Sequence, residues 1–423
     1  MEKIQIAEKA QALFIKNERF KTTRITVNFY LPLENEYYSE LAMLPFFLTS
    51  CCASQPTPAE LSCYLNELYG SVLSGTTEKI GDNRRIGFTV VALDDQYSID
   101  GSKPMAGAAK LLCDVIFAPS IEGGSFKEED FNREKRLFCE LVEAEKNDKR
   151  QYARTRLESE LFPDEPYGLA DLGNIAGAEA ISKESLFAAW QNMLKYANIG
   201  INVIGANLPE DFLAEFRRNL ENLCREPQEL NYQSKQLQKA ELREVYDREE
   251  ITQGKLCIGL CAPSGKSAKE RAAATMANDL LGGGTYSKLF SVVREKLHLC
   301  YYCASRISRL KGYMVIDSGV DFANAQKAKD EILNQLELLK SGDFTDQDME
   351  SSRKSLCNAV KTAQDTASVI DRWYSGRFLD EELISPEEYR SSVAALKRED
   401  VIKAASGIEP HTVYYMLPKE ELK

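Results

Sequence analysis

Apolar residues along the chain fall into two recurring patterns, short strand-like runs and longer stretches with helical spacing. Strand-like runs rich in β-branched and aromatic residues occur in each half of the chain, at 24–31 and 85–93 and again at 255–262 and 313–321. Helical spacing follows at 105–117 and 325–339. Because strands and helices do not alternate regularly, this order favours an α+β fold of antiparallel sheets, each covered by helices on one face.

The same order of elements in both halves indicates an internal repeat. The segment SFKEEDFNREKRLFCELV at 125–142 aligns with DFTDQDMESSRKSLCNAV at 343–360. Four identities recur at one constant offset: Phe126 and Phe344, Asp130 and Asp348, Cys139 and Cys357, and Val142 and Val360. We therefore predict two homologous domains, at 1–224 and 243–423, joined by the polar linker 225–242.

Charge and cysteine content narrow the function classes. The 423 residues carry a formal net charge of −12, and such an acidic chain is a poor partner for nucleic acid or anionic lipid. No apolar run is long enough for a membrane span, and the first residues lack a signal-peptide pattern. Eleven cysteines, mostly in apolar contexts, suit free thiols in a reducing compartment, so we expect a cytoplasmic protein.

Two motifs mimic well-known sites. GLCAPSGKS at 259–267 follows a strand-like run as a P-loop does, but five residues instead of four separate Gly259 from Gly265. We interpret it as a strand–turn–helix connection rather than a nucleotide site. Cys300 and Cys303 enclose two tyrosines in a strand-like context. Strand positions three apart point to opposite faces, so we expect structural cysteines rather than a metal or redox pair.

Histidine is scarce, since His298 and His411 are the only two in the chain. Neither has a histidine or cysteine partner at helical ligand spacing, so a self-contained zinc enzyme is not indicated. His298 follows the end of a predicted helix at 288–297. This position often needs a left-handed backbone, which histidine tolerates better than bulky apolar residues.

The segment 281–302 combines a glycine triplet, Gly282, Gly283 and Gly284, with a helix and a strand. In the helix, four apolar residues lie at spacings that predict one buried stripe: Leu289, Phe290, Val293 and Leu297. Arg294 lies beside this stripe, and Tyr301 starts the next strand. An arginine can hydrogen-bond peptide carbonyls and a tyrosine can donate to an oxyanion. The alternative is a surface ion pair and a tyrosine at a sheet rim.

At these residues the chain resembles the pitrilysin/insulinase family of zinc metallopeptidases. The second half of that family carries a glycine-rich loop, a helix and the pattern R-E-K-x-G-L-x-Y, and this chain reads LGGGTYSKLFSVVREKLHLCY. The residues that match the pattern are Arg294, Glu295, Lys296, Leu299 and Tyr301. His298 stands at the family's glycine. The resemblance covers nearly the whole chain and implies a fold of two homologous halves.

The zinc signature of that family, H-x-x-E-H in the first half, is degenerate here. The matching place reads Leu44-Pro45-Phe46-Phe47-Leu48, with Leu44 and Leu48 at the histidine positions and Phe47 at the glutamate. None of the three can bind zinc or accept a proton from water. The family's later glutamate ligand falls near Glu140, which alone cannot hold a catalytic metal.

The resemblance therefore implies a chain without a metal or cofactor of its own, paired with a sister chain that carries the zinc motif. In that pairing Arg294 and Tyr301 contact the transition state in trans, and the glycine triplet lets an extended peptide substrate approach closely. The alternative that the resemblance leaves open is a non-catalytic assembly or peptide-binding protein of the same fold, in which Arg294 and Tyr301 are remnants.

Overall fold

A computed structural model describes residues 1–34, 36–265, 267–380 and 382–419. Thirteen strands are described: β1 Glu2–Ala7, β2 Ala10–Lys16, β3 Thr22–Pro32, β4 Val72–Ile80, β5 Asn83–Leu93, β6 Ile121–Glu122, β7 Ser125–Phe126, β8 Asn198–Gly205, β9 Arg243–Glu249, β10 Gly254–Cys261, β11 Cys300–Ser308, β12 Tyr313–Val320 and β13 Glu409–Pro418. The described α-helices are α1 Tyr38–Leu48, α2 Pro58–Glu67, α3 Pro104–Phe117, α4 Glu128–Ala144, α5 Lys149–Leu161, α6 Ile175–Ala180, α7 Lys183–Tyr196, α8 Glu210–Glu221, α9 Ala268–Gly282, α10 Ala325–Lys340, α11 Asp346–Ala363, α12 Ala367–Ser375, α13 Pro386–Ala394 and α14 Arg398–Ser406. A π-helix spans Leu289–Lys296.

The chain forms two compact units. Unit 1 comprises Met1–Glu143, Ala170–Tyr232 and Asp365–Leu383, and unit 2 comprises Ala144–Leu169, Gln233–Gln364 and Ile384–Lys423. Each unit thus includes one segment from the opposite half of the sequence. Those segments carry α5 in unit 2 and α12 in unit 1. The predicted boundaries at 224 and 243 stay a prediction, and the chain passes from unit 1 to unit 2 within the predicted linker.

The large sheets of the two units share one strand order. In unit 1 the order is β1-β2-β8-β3-β5-β4, and in unit 2 it is β9-β13-β10-β12-β11 when counted from the corresponding edge. In each sheet one pair is parallel, β2 with β8 and β13 with β9, and the other pairs are antiparallel. The predicted α+β class with two homologous halves is therefore confirmed, with β1 added at the edge of the first sheet.

One face of each sheet carries the apolar core. In unit 1 the core includes buried residues of α1, α3, α7 and α8, and in unit 2 those of α9, α10, α13 and α14. The periodic apolar spacing of 105–117 and 325–339 is explained by this packing. In the described part of the chain, none of the helices has the length and apolarity that a bilayer crossing requires.

The opposite face of each sheet carries a more polar contact with a single helix. In unit 1 the Asp371 carboxylate of α12 accepts hydrogen bonds from Arg24 Nε at 2.8 Å and Thr26 Oγ1 at 2.7 Å on β3. In unit 2 Glu158 of α5 accepts one from the Tyr313 hydroxyl at 2.8 Å. Such buried polar groups are tolerated because they are hydrogen-bonded to each other.

Candidate functional site

The predicted Arg/Tyr segment links α9 to the edge strand β11 of unit 2. Its helix is a π-helix, in which the Leu297 N–H donates to the carbonyl of Val292 at 3.0 Å. His298 follows with φ 51°, in the left-handed region, as its position after the helix predicted. The chain then enters β11 at Cys300.

The apolar stripe of this helix is shorter than predicted. Leu289 and Val293 are fully buried, but Leu297 is 42% exposed. The predicted burial of Leu297 is therefore wrong. The helix ends at Lys296, and its wider turn moves the last apolar position away from the face that the first two share.

Arg294 and Tyr301 line the same open cavity, which measures about 350 Å³. The Arg294 guanidinium stacks over the Phe290 ring at 4.6 Å, and its Nε lies 3.6 Å from a carboxylate oxygen of Glu295. Tyr301 is 55% exposed. Both polar groups are thus presented to solvent at one place.

Tyr301 is oriented by a carboxylate. Its hydroxyl donates to Asp321 Oδ1 at 2.8 Å, and this hydrogen bond raises the pKa of the Tyr301 hydroxyl because it favours the protonated phenol. A tyrosine hydroxyl is protonated at neutral pH in any case, so the effect of Asp321 is to orient this donor. Asp321 was missed from the sequence, since nothing in its spacing links it to Tyr301.

The glycine triplet has packing reasons of its own. A Cβ on Gly282 would lie 2.6 Å from the Ser305 nitrogen of β11, and one on Gly283 would lie 2.3 Å from Asp279 Oδ1. A Cβ on Gly284 would meet the ring of Tyr286 at 2.9 Å. Contact of the triplet with a substrate backbone stays a prediction.

A buried carboxylate supports the loop that contains the triplet. Asp279 Oδ2 accepts hydrogen bonds from the Tyr286 and Ser352 hydroxyls, both at 2.5 Å. Burial raises the pKa of the Asp279 carboxyl because desolvation disfavours the charged form. This network ties the end of α9 to α11, and it was not predicted because its partners are far apart in sequence.

The expected divergence of Cys300 and Cys303 is wrong. The pairing register of β11 with β12 shifts between Cys300 and Tyr302, so Tyr301 is the extra residue of a β-bulge. The bulge places both cysteines in the apolar core of unit 2. Their hydrogen bond lowers the pKa of the Cys300 thiol and raises that of Cys303. Both remain buried free thiols.

The degenerate zinc-motif positions lie in the core of unit 1. Leu44 and Leu48 of α1 are 0% exposed and Phe47 is 4% exposed. Pro45 lies inside this helix. These apolar, solvent-shielded side chains do not fit a catalytic zinc ion, which needs nitrogen, oxygen or sulfur ligands and an open position.

Other candidate ligands do not converge either. Glu140 is exposed on α4 and pairs with Arg136 at 3.4 Å. His411 is buried on β13, with Nδ1 2.8 Å from Thr412 Oγ1, and burial lowers the pKa of its imidazole. Within residues 1–34, 36–265, 267–380 and 382–419 there is no group of three potential metal ligands.

The P-loop-like segment forms the connection from β10 to α9. Ser267 caps α9 by accepting from the Glu270 N–H at 3.2 Å, and the Glu270 side chain returns the contact as a capping box. The Ser267 hydroxyl is thus engaged in capping the N-terminus of α9. Lys266, which a nucleotide site would require, lies outside the described residues.

The geometry defines a class of protein: a two-unit α+β chain whose zinc-motif positions are buried apolar residues. Residues 180–356 match the family described as Peptidase M16 inactive domain. A probable inactive metalloprotease of Bacillus subtilis is 30% identical to this chain over 96% of its length and 95% of the relative's length.

The chain therefore belongs to the M16 family of metallopeptidases, the pitrilysin/insulinase family, as a member without the zinc motif. Solved structures agree with this fold. A conserved protein from Enterococcus faecalis superposes with a TM-score of 0.90 at 26% identity, over 100% of this chain and 99% of that one. A peptidase M16 inactive domain from Pseudomonas fluorescens gives 0.82 at 18% identity, over 100% and 99%.

Proposed function

We propose that this chain is the non-zinc subunit of a heteromeric M16 peptidase. In this proposal it binds an extended peptide and contributes Arg294 and Tyr301 to a zinc site on a partner chain. The observation that carries the proposal is that both side chains line one open cavity, whereas the zinc-motif positions of the same chain are buried apolar residues.

Tyr301 would donate its hydroxyl proton to the substrate carbonyl oxygen as this oxygen becomes an oxyanion. The Asp321 contact supports this role because it holds the hydroxyl in place at 2.8 Å. A tyrosine hydroxyl is protonated at neutral pH and so is available as a donor. In the reacting complex the hydroxyl would exchange Asp321 for the substrate oxygen.

Arg294 would hold a neighbouring backbone carbonyl of the peptide. Its guanidinium is restricted by the Phe290 ring, and a restricted donor loses less conformational entropy when it binds. The side chain is 41% exposed, so a peptide can reach it. Its weak contact with Glu295, at 3.6 Å, is readily exchanged for a substrate carbonyl.

The substrate would bind as an added strand at the edge of the unit 2 sheet. β11 is an edge strand of that sheet, and it begins at the Tyr301 bulge. Backbone hydrogen bonds would then supply most of the affinity, and they depend little on sequence. The partner chain would hold the zinc ion with its own ligands, and that ion would supply polarisation of the attacking water.

The test compares Tyr301→Phe with Tyr302→Phe in an assay that contains a zinc-motif M16 chain encoded beside this one. Loss of one oxyanion donor lowers kcat by roughly 10²–10³, so we expect such a decrease for Tyr301→Phe with zinc retained in the partner. Tyr302 packs under Arg150 at 4.1 Å, away from the proposed contact, so its variant should keep the original rate. Equal rates for all three proteins would remove Tyr301 from the mechanism.

The second candidate is a non-catalytic assembly or peptide-binding protein. It is favoured because Tyr301 and the glycine triplet already have structural contacts within the chain. The Tyr301 hydroxyl is bonded to Asp321, and Gly282 packs against Ser305. Metal analysis and peptidase assays with and without the zinc-motif chain separate the candidates. Activity that appears only in the mixture supports the heteromeric peptidase, and no activity in any mixture supports the second candidate.

A further inference from the structure

Strand β11 presents a second set of side chains on the face opposite the core of unit 2. Cys303 and Ser305 are buried, and Cys303 belongs to that core. Because side chains alternate along a strand, Tyr302, Ala304 and Arg306 point to the other face. This is the face that α5 covers in part, since Arg150 of α5 stacks over the Tyr302 ring.

Cations outnumber the carboxylate that they surround on this face. Asp317 of β12 is 1% exposed, and its Oδ2 accepts from Arg150 Nε and lies 3.6 Å from Arg154 Nη1. Ala304 pairs with Asp317 in the sheet, and Arg306 pairs with Val315. Arg306 is therefore the diagonal cross-strand neighbour of Asp317. The Asp317 carboxylate is already in contact with the Arg150 and Arg154 guanidiniums.

Basic side chains on this face repel one another as well as contacting Asp317. Arg306 is exposed, and its pKa is lowered by partial burial and by repulsion from Arg154 and Arg150, whereas Asp317 raises it. The pKa of Lys255, on β10, is lowered by burial and by Arg150. Arg154 Nη1 and Asp317 Oδ1 are both buried without a hydrogen-bond partner. An added anion would relieve this repulsion.

We propose that this cationic face, formed by Arg150, Arg154, Lys255 and Arg306, selects acidic side chains of a peptide bound along β11. The inference rests on the proposed function and specifies its substrate class. A peptide strand added at the β11 edge places every second side chain on this face. Glutamate or aspartate at those alternate positions would meet Arg306 directly, whereas the intervening side chains would face the opposite side of the sheet.

Because the chain is acidic overall, the proposed selectivity for acidic peptides must come from this cationic face alone. At −12 overall, the protein repels an acidic peptide at long range, and a cationic face at the strand edge reverses this repulsion within a screening length of about 8–10 Å. Binding of acidic peptides should therefore depend on the charge of residue 306 rather than on the net charge of the chain.

The experiment measures fluorescence anisotropy of three labelled peptides on the full-length chain. The peptides alternate threonine with glutamate, glutamine or lysine and are otherwise identical. We expect affinity in the order glutamate, glutamine, lysine. In Arg306→Glu the glutamate peptide should bind about three- to twentyfold more weakly, since an attractive surface pair becomes a repulsive one, and the lysine peptide should bind more tightly than it does to the original chain.

The matched control is Lys327→Glu, which makes the same charge change at an exposed position of α10 and should keep the original order. Equal affinity for the glutamate and glutamine peptides, or an order unchanged in Arg306→Glu, overturns the acidic selectivity while peptide binding stands. Failure of all three peptides to bind overturns both the selectivity and the proposed peptide binding at β11.

Discussion

Helix α1 and the segment from the π-helix into β11 hold the two sets of positions that resemble the family's reactive residues, and they differ in solvent access. Leu44 and Leu48 of α1 are 0% exposed, whereas Tyr301 is 55% exposed. The first set has become part of the unit 1 core. The second still presents polar groups at a cavity.

The difference shows that the former zinc-motif positions now serve stability, whereas the Arg294 and Tyr301 positions do not. A buried leucine contributes about 1.5–3 kcal/mol through its removal from water, so α1 now depends on its apolar residues for stability. Exposed polar side chains such as Arg294 contribute little to folding. Their presence at one cavity is therefore not explained by a need for stability, which is what makes a binding role worth testing.

The largest effect is expected when the zinc motif is restored as Leu44→His, Phe47→Glu and Leu48→His. The triple variant buries a carboxylate and two imidazoles among apolar side chains, and each unpaired buried polar group costs several kcal/mol. This sum is comparable to a total stability of about 5–15 kcal/mol. We expect a chain that circular dichroism shows as largely unfolded at 25 °C and that holds no stoichiometric zinc.

A matched control is the double variant Leu44→Met and Leu48→Met, which keeps both positions apolar at similar volume and should cost less than about 1.5 kcal/mol at each. A folded histidine-containing variant with one zinc ion per chain would contradict the account of α1 as core that cannot accept a metal.

A middle-sized effect is expected at Asp279, the buried carboxylate next to the glycine triplet. Asp279→Ala leaves the Tyr286 and Ser352 hydroxyls without their acceptor, and we expect a loss of about 1–3 kcal/mol in the free energy of unfolding. Asp279→Asn keeps an oxygen that can accept from both and should lose less. Urea denaturation of the two variants checks the order, and a smaller loss for alanine than for asparagine would contradict it.

The original chain and Asp279→Asn should also differ in how their stability depends on pH. Burial raises the pKa of the Asp279 carboxyl in the folded state, so the folded chain binds this proton more tightly than the unfolded chain does. Its contribution to stability is complete below the unfolded pKa of about 3.9 and is lost as the pH rises through the folded pKa. The asparagine variant should lack this decline in a pH series of urea midpoints.

The sequence predicted the repeat, the fold class and the place of the degenerate motif because these depend on local periodicity and on residue identity. It also predicted a left-handed residue after the helix, because His298 follows the helix end, and its φ is 51°.

It did not predict features that depend on pairing between distant segments. At the Tyr301 bulge, β11 has one more residue than the part of β12 that it pairs with. Counting alternate residues along β11 alone therefore predicted the wrong faces for Cys300 and Cys303. Likewise, α5 reads as KRQYARTRLESEL, with only Ala153, Leu157 and Leu161 on its buried side. Polar contacts such as Glu158 with Tyr313 add to this narrow apolar stripe, and they join segments far apart in the sequence.

The smallest effect is expected at Tyr301, and it tests the comparison between α1 and the segment from the π-helix into β11 most directly. Tyr301→Phe removes an exposed hydroxyl bonded to the exposed Asp321, and water replaces the lost partner on both sides. We therefore expect no measurable shift in the urea midpoint. Tyr30→Phe makes the same chemical change at a buried position of unit 1, where the hydroxyl donates to the Ser375 carbonyl of α12 at 3.0 Å and the ring is 0% exposed. That variant should lose about 0.5–1.5 kcal/mol.

This contrast decides how kinetic data on Tyr301 are to be interpreted. If Tyr301→Phe leaves stability unchanged, a slower turnover in the heteromeric assay reflects the loss of a donor at the reaction centre. If Tyr301→Phe is destabilised as much as Tyr30→Phe, the Asp321 bond is structural. The exposed segment would then belong with α1 as part of the framework, and the distinction between the two regions would disappear.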